Sequence, residues 1–122
     1  MTVTVDAPAA PDYEVLTLTR GDDYSATDGL ELGFSGTDWP TLTGATITFT
    51  AKRDGVTVIS TAGSVITATG TTKHVHVELT AAQTALLTAG TKSTKFDVQA
   101  TLTSARIVTL VRGDITALED YT

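Results

Sequence analysis

Two histidines and a glutamate alternate along one short segment of the chain: His74, His76 and Glu78 stand in the run HVHVEL. In an extended strand, residues two apart point to the same face, so the three polar side chains would share a face. Two imidazoles at this spacing can bind one metal ion when another segment supplies a further ligand. A solvated strand face gives the same pattern, and one strand does not supply the hydrogen-bonding partners that orient metal ligands. We therefore expect no bound metal and no cofactor, with these three residues as the candidates for any metal site.

Acidic residues cluster near the N-terminus, where Asp22, Asp23 and Asp28 could share a calcium ion, but the spacing of an EF-hand and its final glutamate are absent. Residues 20–22 and 112–114 both read Arg-Gly-Asp. Glycine and aspartate are common where a strand meets a turn, and we expect both tripeptides at such positions.

Sequence motifs of catalysis are absent: the chain has no GxSxG, P-loop, HExxH or GxGxxG. Trp39 and three tyrosines, at 13, 24 and 121, could form a sugar-binding platform if they lay together. A tryptophan beside Pro40 is more typical of a loop packed onto the core. We expect a non-enzymatic protein, with a carbohydrate-binding module as an alternative.

Composition favours strands, because 27 threonines, 11 valines and 5 isoleucines make about a third of the 122 residues β-branched. The absence of cysteine excludes a disulfide framework.

No signal-peptide pattern is visible, and no apolar run approaches the roughly 18 residues that span a membrane, so we expect synthesis in the cytoplasm and no membrane partner. The net charge of −6 argues against nucleic acid as a partner.

Charge is unevenly distributed along the chain. Residues 1–40 contain eight acids and one base, Arg20, whereas residues 41–113 contain three acids and seven bases. Acidic ends around a basic middle are consistent with solvated faces or with head-to-tail contact between copies.

Pro8, Pro11 and the small residues between them predict an extended N-terminal arm over residues 1–12. Apolar alternation predicts a single β domain over residues 13–122. The predicted strands are 13–20, 30–34, 45–52, 56–60, 64–69, 74–79, 95–103 and 107–115. Asp54-Gly55 is a strong hairpin signal, and Ser104-Ala105 predicts a second turn. Thr80 and Gln83 form a capping-box pattern, which predicts a short helix over about 80–88 that stops near Gly90.

The C-terminal segment LTAAQTALLTAGTKSTKFDVQATLTSARIVTLVRGDITALEDYT, with the hairpin ATITFTAKRDG before it, resembles the N-terminal domain of phage baseplate upper proteins and related small virion proteins. The likeness covers about residues 42–122. It implies an all-β, immunoglobulin-like antiparallel β-sandwich of about eight strands, without catalysis and present in many copies.

This resemblance makes a bacteriophage virion structural protein our leading hypothesis: a baseplate or tail adaptor, or a fibre-attachment component, made in the host cytoplasm. The alternatives are a decoration protein of the phage head and a carbohydrate- or receptor-binding β-sandwich. The expected partners are other virion proteins and copies of itself, with a host-surface glycan as a further candidate. The residues predicted to contact partners lie in the arm, the tryptophan loop and the acidic C-terminal segment: Val3, Val5, Pro8, Pro11, Trp39, Glu119, Asp120 and Tyr121.

Overall fold

The computed structural model of the chain describes residues 2–5, 13–24, 29–35, 41–69, 72–87 and 94–119. They form an all-β fold with one short helix, as predicted. The elements are β1 (Thr2–Val5), β2 (Tyr13–Thr19), β3 (Leu30–Ser35), β4 (Thr46–Arg53), β5 (Val56–Thr67), β6 (Thr72–Val77), α1 (Ala81–Thr84), β7 (Thr94–Thr101) and β8 (Ile107–Leu118).

The strands form one mixed sheet in the order β1-β3-β6-β5-β4-β7-β8-β2. β2 is parallel to β8 and β1 is parallel to β3, while the other neighbours are antiparallel. The predicted immunoglobulin-like antiparallel sandwich of eight strands is therefore wrong: the sheet is a single curled one, and a strand with a parallel partner closes each end.

The short connection between β1 and β2 requires the sheet to curl. β1 and β2 lie at opposite ends of the sheet, and eight strands spaced by about 4.8 Å would separate them by about 34 Å in a flat sheet. The connection from Val5 to Tyr13 reaches about 28 Å at full extension. Because the connection is shorter than the flat width, the two ends of the sheet must bend towards each other.

β5 is the strand that joins β4 to β6 in the sheet. Its first part pairs with β4 and its last part with β6, and Gly63 has a partner on both sides, Ile47 and Val77. A β-carbon on Gly63 would lie 2.7 Å from the carbonyl oxygen of His76, so the glycine allows close approach. The prediction of two strands, 56–60 and 64–69, is wrong because residues 61–63 continue the ladder with β4.

The hydrophobic core gathers the inward residues of both halves of the sheet, together with Leu42 and two leucines around α1. Phe49 of β4 and Phe96 of β7 both belong to this core and stack on each other, with ring centroids 5.7 Å apart and planes 18° apart. The fully buried side chains with the largest volumes are Phe49, Leu16, Leu18, Leu42, Ile47, Leu79, Leu87, Leu110 and Ile115.

Local signals in the sequence are confirmed where they concern turns and caps. Asp54 and Gly55 both have positive φ, 52° and 81°, as a tight hairpin turn requires. The Thr80 N–H donates to Oε1 of Gln83 at 2.9 Å, and the Gln83 N–H donates to Oγ1 of Thr80 at 3.2 Å, which is the predicted capping box.

The helix is shorter than the predicted 80–88. After Ala85 the backbone bonds tighten from i−4 to i−3, since the N–H of Leu86 donates to the Gln83 carbonyl and that of Leu87 to the Thr84 carbonyl. Gly90, the predicted stop, lies outside the described residues. In the part of the chain that the structure describes, no helix has the length and apolar character needed to cross a bilayer.

The predicted arm is a strand in part, because Thr2–Val5 pairs with β3 of its own chain. Val3 pairs with Leu32 and Val5 with Phe34 in this ladder. Residues 6–12, which include Pro8 and Pro11, lie outside the described ranges.

Candidate functional site

A cleft of about 380 Å³ lies over β4, β7 and β8. It is lined by Thr50, Lys52, Lys95, Phe96, Asp97, Arg112 and Gly113. We call this feature the charged cleft. The sequence alone does not predict this cleft.

Strand register explains why charged side chains meet here. Thr50 pairs with Asp97, and Asp97 pairs in turn with Arg112, so the three residues form one row across β4, β7 and β8. Lys52, Lys95 and Asp114 form the next row of the same parity. In β4 and β7, the residues that alternate with these two rows are buried in the core. Neighbouring residues of a strand point to opposite faces, so the two rows lie on the face of the sheet that points away from the core.

One ion pair anchors the second row. Nζ of Lys95 donates to Oδ1 of Asp114. The Asp114 side chain is 11% exposed and that of Lys95 is 59% exposed, so the carboxylate is buried and the ammonium reaches it from the solvent side. A buried carboxylate needs such a partner, because losing hydration without one is costly. Asp114 does not line the cleft, but its negative charge offsets the positive charge of Lys95, which does.

Two cations of the cleft have no ion pair among the described residues: Lys52 and Arg112. Both are exposed. Asp97 is directly opposite Arg112 across the strand pair, yet the two side chains do not come within ion-pairing distance. Since Lys95 and Asp114 offset each other, the cleft presents two unpaired positive groups around one carboxylate.

The carboxyl group of Asp97 has an altered acidity. Loss of hydration through partial burial raises its pKa above the usual 3.8, and the charge of Lys52 opposes that shift. Burial is the larger influence. The ionised form of Asp97 is therefore less favourable here than in water, and a ligand that donates hydrogen bonds to it would relieve the cost.

The histidine segment lies on β6, with His74 and His76 both half-buried. Nε2 of His76 lies 3.6 Å from Oε1 of Glu78. Within the described ranges, no three histidine, aspartate or glutamate side chains form a group that could hold a metal ion. His74, His76 and Glu78 thus do not assemble a metal site with any other described residue, and Asp28 lies outside those ranges.

The two Arg-Gly-Asp tripeptides occupy different structures. Residues 20–22 follow β2 in a turn, where the Asp22 N–H donates to the Thr19 carbonyl at 3.2 Å and Gly21 has a φ of 80°. The prediction of a turn is wrong for residues 112–114, which lie inside β8, because that strand continues to Leu118 and buries both Gly113 and Asp114.

Of the residues predicted to contact partners, Glu119 is described and exposed. Its carboxylate lies 3.7 Å from the Arg20 guanidinium, which also donates to the carbonyl of Ala85 at 3.2 Å. Glu119 thus joins the end of β8 to the turn after β2. Val3 and Val5 belong to β1, and the rest of the set lies outside the described residues: Pro8, Pro11, Trp39, Asp120 and Tyr121.

The chain matches no protein-family model, and no curated protein is significantly similar to it in sequence. Its function must therefore be argued from its own residues and geometry.

Alternation of polar and apolar residues does put Lys52, Lys95 and Arg112 on outward positions. That pattern cannot reveal that β4 is the neighbour of β7, and this pairing is what brings the three cations together.

Proposed function

We propose that the chain is a non-enzymatic structural protein of a bacteriophage virion, acting as a baseplate or tail adaptor or a fibre-attachment component in multiple copies. The observation that carries the proposal is the outer edge of β2: among the described residues β2 pairs with β8 alone, so its other side offers backbone hydrogen-bonding groups to another chain. The phage setting is part of the proposal: it comes from the resemblance that we infer for residues 42–122, and the edge of β2 supports the assembly of copies.

The direction of the β2 edge follows from its bonds to β8. The Arg20 N–H donates to the Leu118 carbonyl at 2.9 Å, and alternate residues of a strand point to the same side. Residues of the same parity as Arg20 therefore bond to β8. Val15 and Thr17, of the other parity, direct their N–H and C=O groups away from the sheet.

β2 lacks three common protections against pairing with another strand: it contains no lysine, it contains no proline, and its register with β8 is unbroken. Val15 is 50% exposed, and Leu118 on the neighbouring strand is 48% exposed. The Thr19 N–H donates to the Tyr24 hydroxyl at 2.9 Å, so it is not available to another chain. The part of β2 that can pair with another strand is therefore the part before Thr19.

The two ends of the sheet are formed by different strands, β1 and β2. Contact between the β2 edge of one copy and the β1 edge of the next would be heterologous, the kind of contact that builds rings when the rotation closes. A ring of identical subunits suits a component of a phage tail or baseplate.

Gold-labelled antibody against the protein, applied to particles from the producing culture, tests the proposal. Label at the tail end is the expected result. Label spread over the head would replace the adaptor with a decoration protein of the capsid, and absence of label from every intact particle would overturn a role in the virion.

A further inference from the structure

We propose that the charged cleft binds a saccharide that carries a carboxylate group, such as a uronic acid. This inference is separate from the assembly role, since the cleft lies over β4, β7 and β8 and the open edge belongs to β2. It also places ligand recognition on residues other than Trp39 and the tyrosines.

Arg112 is the residue best suited to recognise the carboxylate. Its guanidinium presents paired N–H donors in a planar fork that matches the two oxygens of a carboxylate. The side chain is exposed and has no ion pair among the described residues, so its donors face solvent. Lys52 supplies a second positive charge on the far side of Asp97, in the next row of the same face.

Asp97 and Thr50 give the cleft its preference for a sugar. They stand side by side in the row that ends at Arg112, and a carboxylate and a hydroxyl both accept hydrogen bonds from sugar hydroxyl groups. A compact dianion such as phosphate would meet the Asp97 carboxylate at neutral pH. An acidic sugar can instead place its carboxylate on Arg112 and its hydroxyls on Asp97.

The size and charge of the site fit this class of ligand. A volume of about 380 Å³ lies within the usual range of small-molecule sites, about 300–1,000 Å³. The whole chain carries a net charge of −6, so general electrostatic attraction does not draw anions to it. Binding of an acidic sugar must then depend on the local placement of Lys52 and Arg112.

The test is calorimetric titration of the full chain with a trimer of galacturonic acid, with a neutral maltose-series trimer as comparison. We expect the acidic trimer to bind and the neutral one not to bind. Arg112→Ala should weaken binding about tenfold or more, since hydrogen bonds to charged groups are worth more than neutral ones. Arg112→Lys, which keeps the charge and loses the fork, should recover part of the affinity.

Arg106→Ala is the matched control. Arg106 is an exposed arginine in the turn between β7 and β8, it has no ion pair among the described residues, and it does not line the cleft. Its replacement makes the same change in charge and should leave the affinity unchanged. Equal losses in the Arg106 and Arg112 variants would show general attraction and overturn the assignment.

Three further results would overturn the inference: no binding of the acidic trimer by the unaltered chain, equal binding of the neutral trimer, or displacement by inorganic phosphate at equal concentration. Circular dichroism of each variant confirms that the fold is retained. If the chain binds the acidic trimer but the antibody labels no particle, the sugar site stands and the virion role is overturned. If the antibody labels particles but the chain does not bind the trimer, the virion role stands and the sugar site is overturned.

Discussion

Gly29 and His76 are packed so closely that no further atom fits between them. A β-carbon added to Gly29 would lie 2.6 Å from Cε1 and 2.7 Å from Nε2 of the His76 ring, and 2.7 Å from the carbonyl oxygen of Val77. The imidazole therefore covers the backbone at the entrance to β3. This contact gives a packing role to a histidine whose spacing in the sequence is equally compatible with metal binding.

Gly29→Ala should destabilise the protein by about 1–3 kcal/mol, because an added carbon in a filled space forces neighbours to move. Urea unfolding measures the change. In the double variant with His76→Ala, two of the three close contacts disappear and the one with the Val77 carbonyl remains. The double variant should therefore lose less stability than the two single variants together, by at least about 0.5 kcal/mol. Simple additivity would show that the ring does not restrict this position.

Thr80→Ala should cost about 1 kcal/mol of unfolding free energy, because the alanine cannot accept the Gln83 N–H at the start of α1. Thr80→Ser keeps a hydroxyl at the cap and serves as the control, with little change expected. Thermal or urea unfolding separates the two. A serine variant as unstable as the alanine variant would assign the loss to the methyl group of the threonine rather than to the cap.

Ala105→Gly should stabilise the protein. Ala105 has a φ of 68° in the turn between β7 and β8. This conformation costs an L-residue about 1–2 kcal/mol, while glycine loses about 0.5–1 kcal/mol more chain entropy on folding, which leaves a gain of up to about 1.5 kcal/mol. Ser104→Gly, at the neighbouring residue, which lacks a positive φ, should give no gain. Equal effects of the two substitutions in urea unfolding would contradict the role of the backbone angle.

The ionisation of Asp97 predicts a dependence of stability on pH. Burial raises the pKa of Asp97 in the folded state above 3.8, so the folded chain retains a proton that the unfolded chain has already released. The free energy of unfolding should then fall as pH rises from about 3.8 through the raised pKa. Asp97→Asn should remove this part of the decline and should be more stable than the unaltered chain above that window.

Carboxyl NMR resonances titrated with pH measure the same property directly. Lys52 lowers the pKa of Asp97, so Lys52→Gln should move the titration midpoint of Asp97 still higher. Arg106→Gln, in the turn outside the cleft, should not move it. A midpoint at or below 3.8 in the unaltered chain would refute the influence of burial.

Val15→Lys should prevent association of the chain, because a lysine on an open edge strand obstructs pairing with another strand. Sedimentation velocity over a range of concentrations provides the measurement. Ile66→Lys is the control: Ile66 is also exposed but lies on β5, between β4 and β6. Association lost equally in both variants, or retained in the Val15 variant, would exclude the β2 edge as the contact.

Local features of the fold could be predicted from the sequence, and non-local pairing could not. The Asp54-Gly55 turn and the Thr80 capping box depend on residues close together in the chain, whose conformational preferences act alone. The parallel pairing of β2 with β8 leaves no such signal, since it depends on how the whole sheet curls. The sequence pattern predicts two strands around Gly63, whereas the glycine lies within one continuous strand and allows strands on both sides to approach.

The charged cleft could not be predicted from the sequence for the same reason: it depends on strand pairing between distant segments. The outward positions of Lys52, Asp97 and Arg112 follow from the alternation of each strand. Their meeting requires the order β4-β7-β8, in which the first pair of neighbours is separated by two strands and a helix in the sequence. The hairpin of β7 and β8 was predicted and is confirmed, so one half of the cleft could have been inferred from the sequence.

The pairing of β2 with β8 also has a consequence for how the protein is made. Tyr13 and Arg112 are partners, so β2 cannot take its place in the sheet until β8, 99 residues further along the chain, has been synthesised. Leu16 and Leu18 therefore become buried against β8 later in synthesis than a residue whose partners are close to it in sequence.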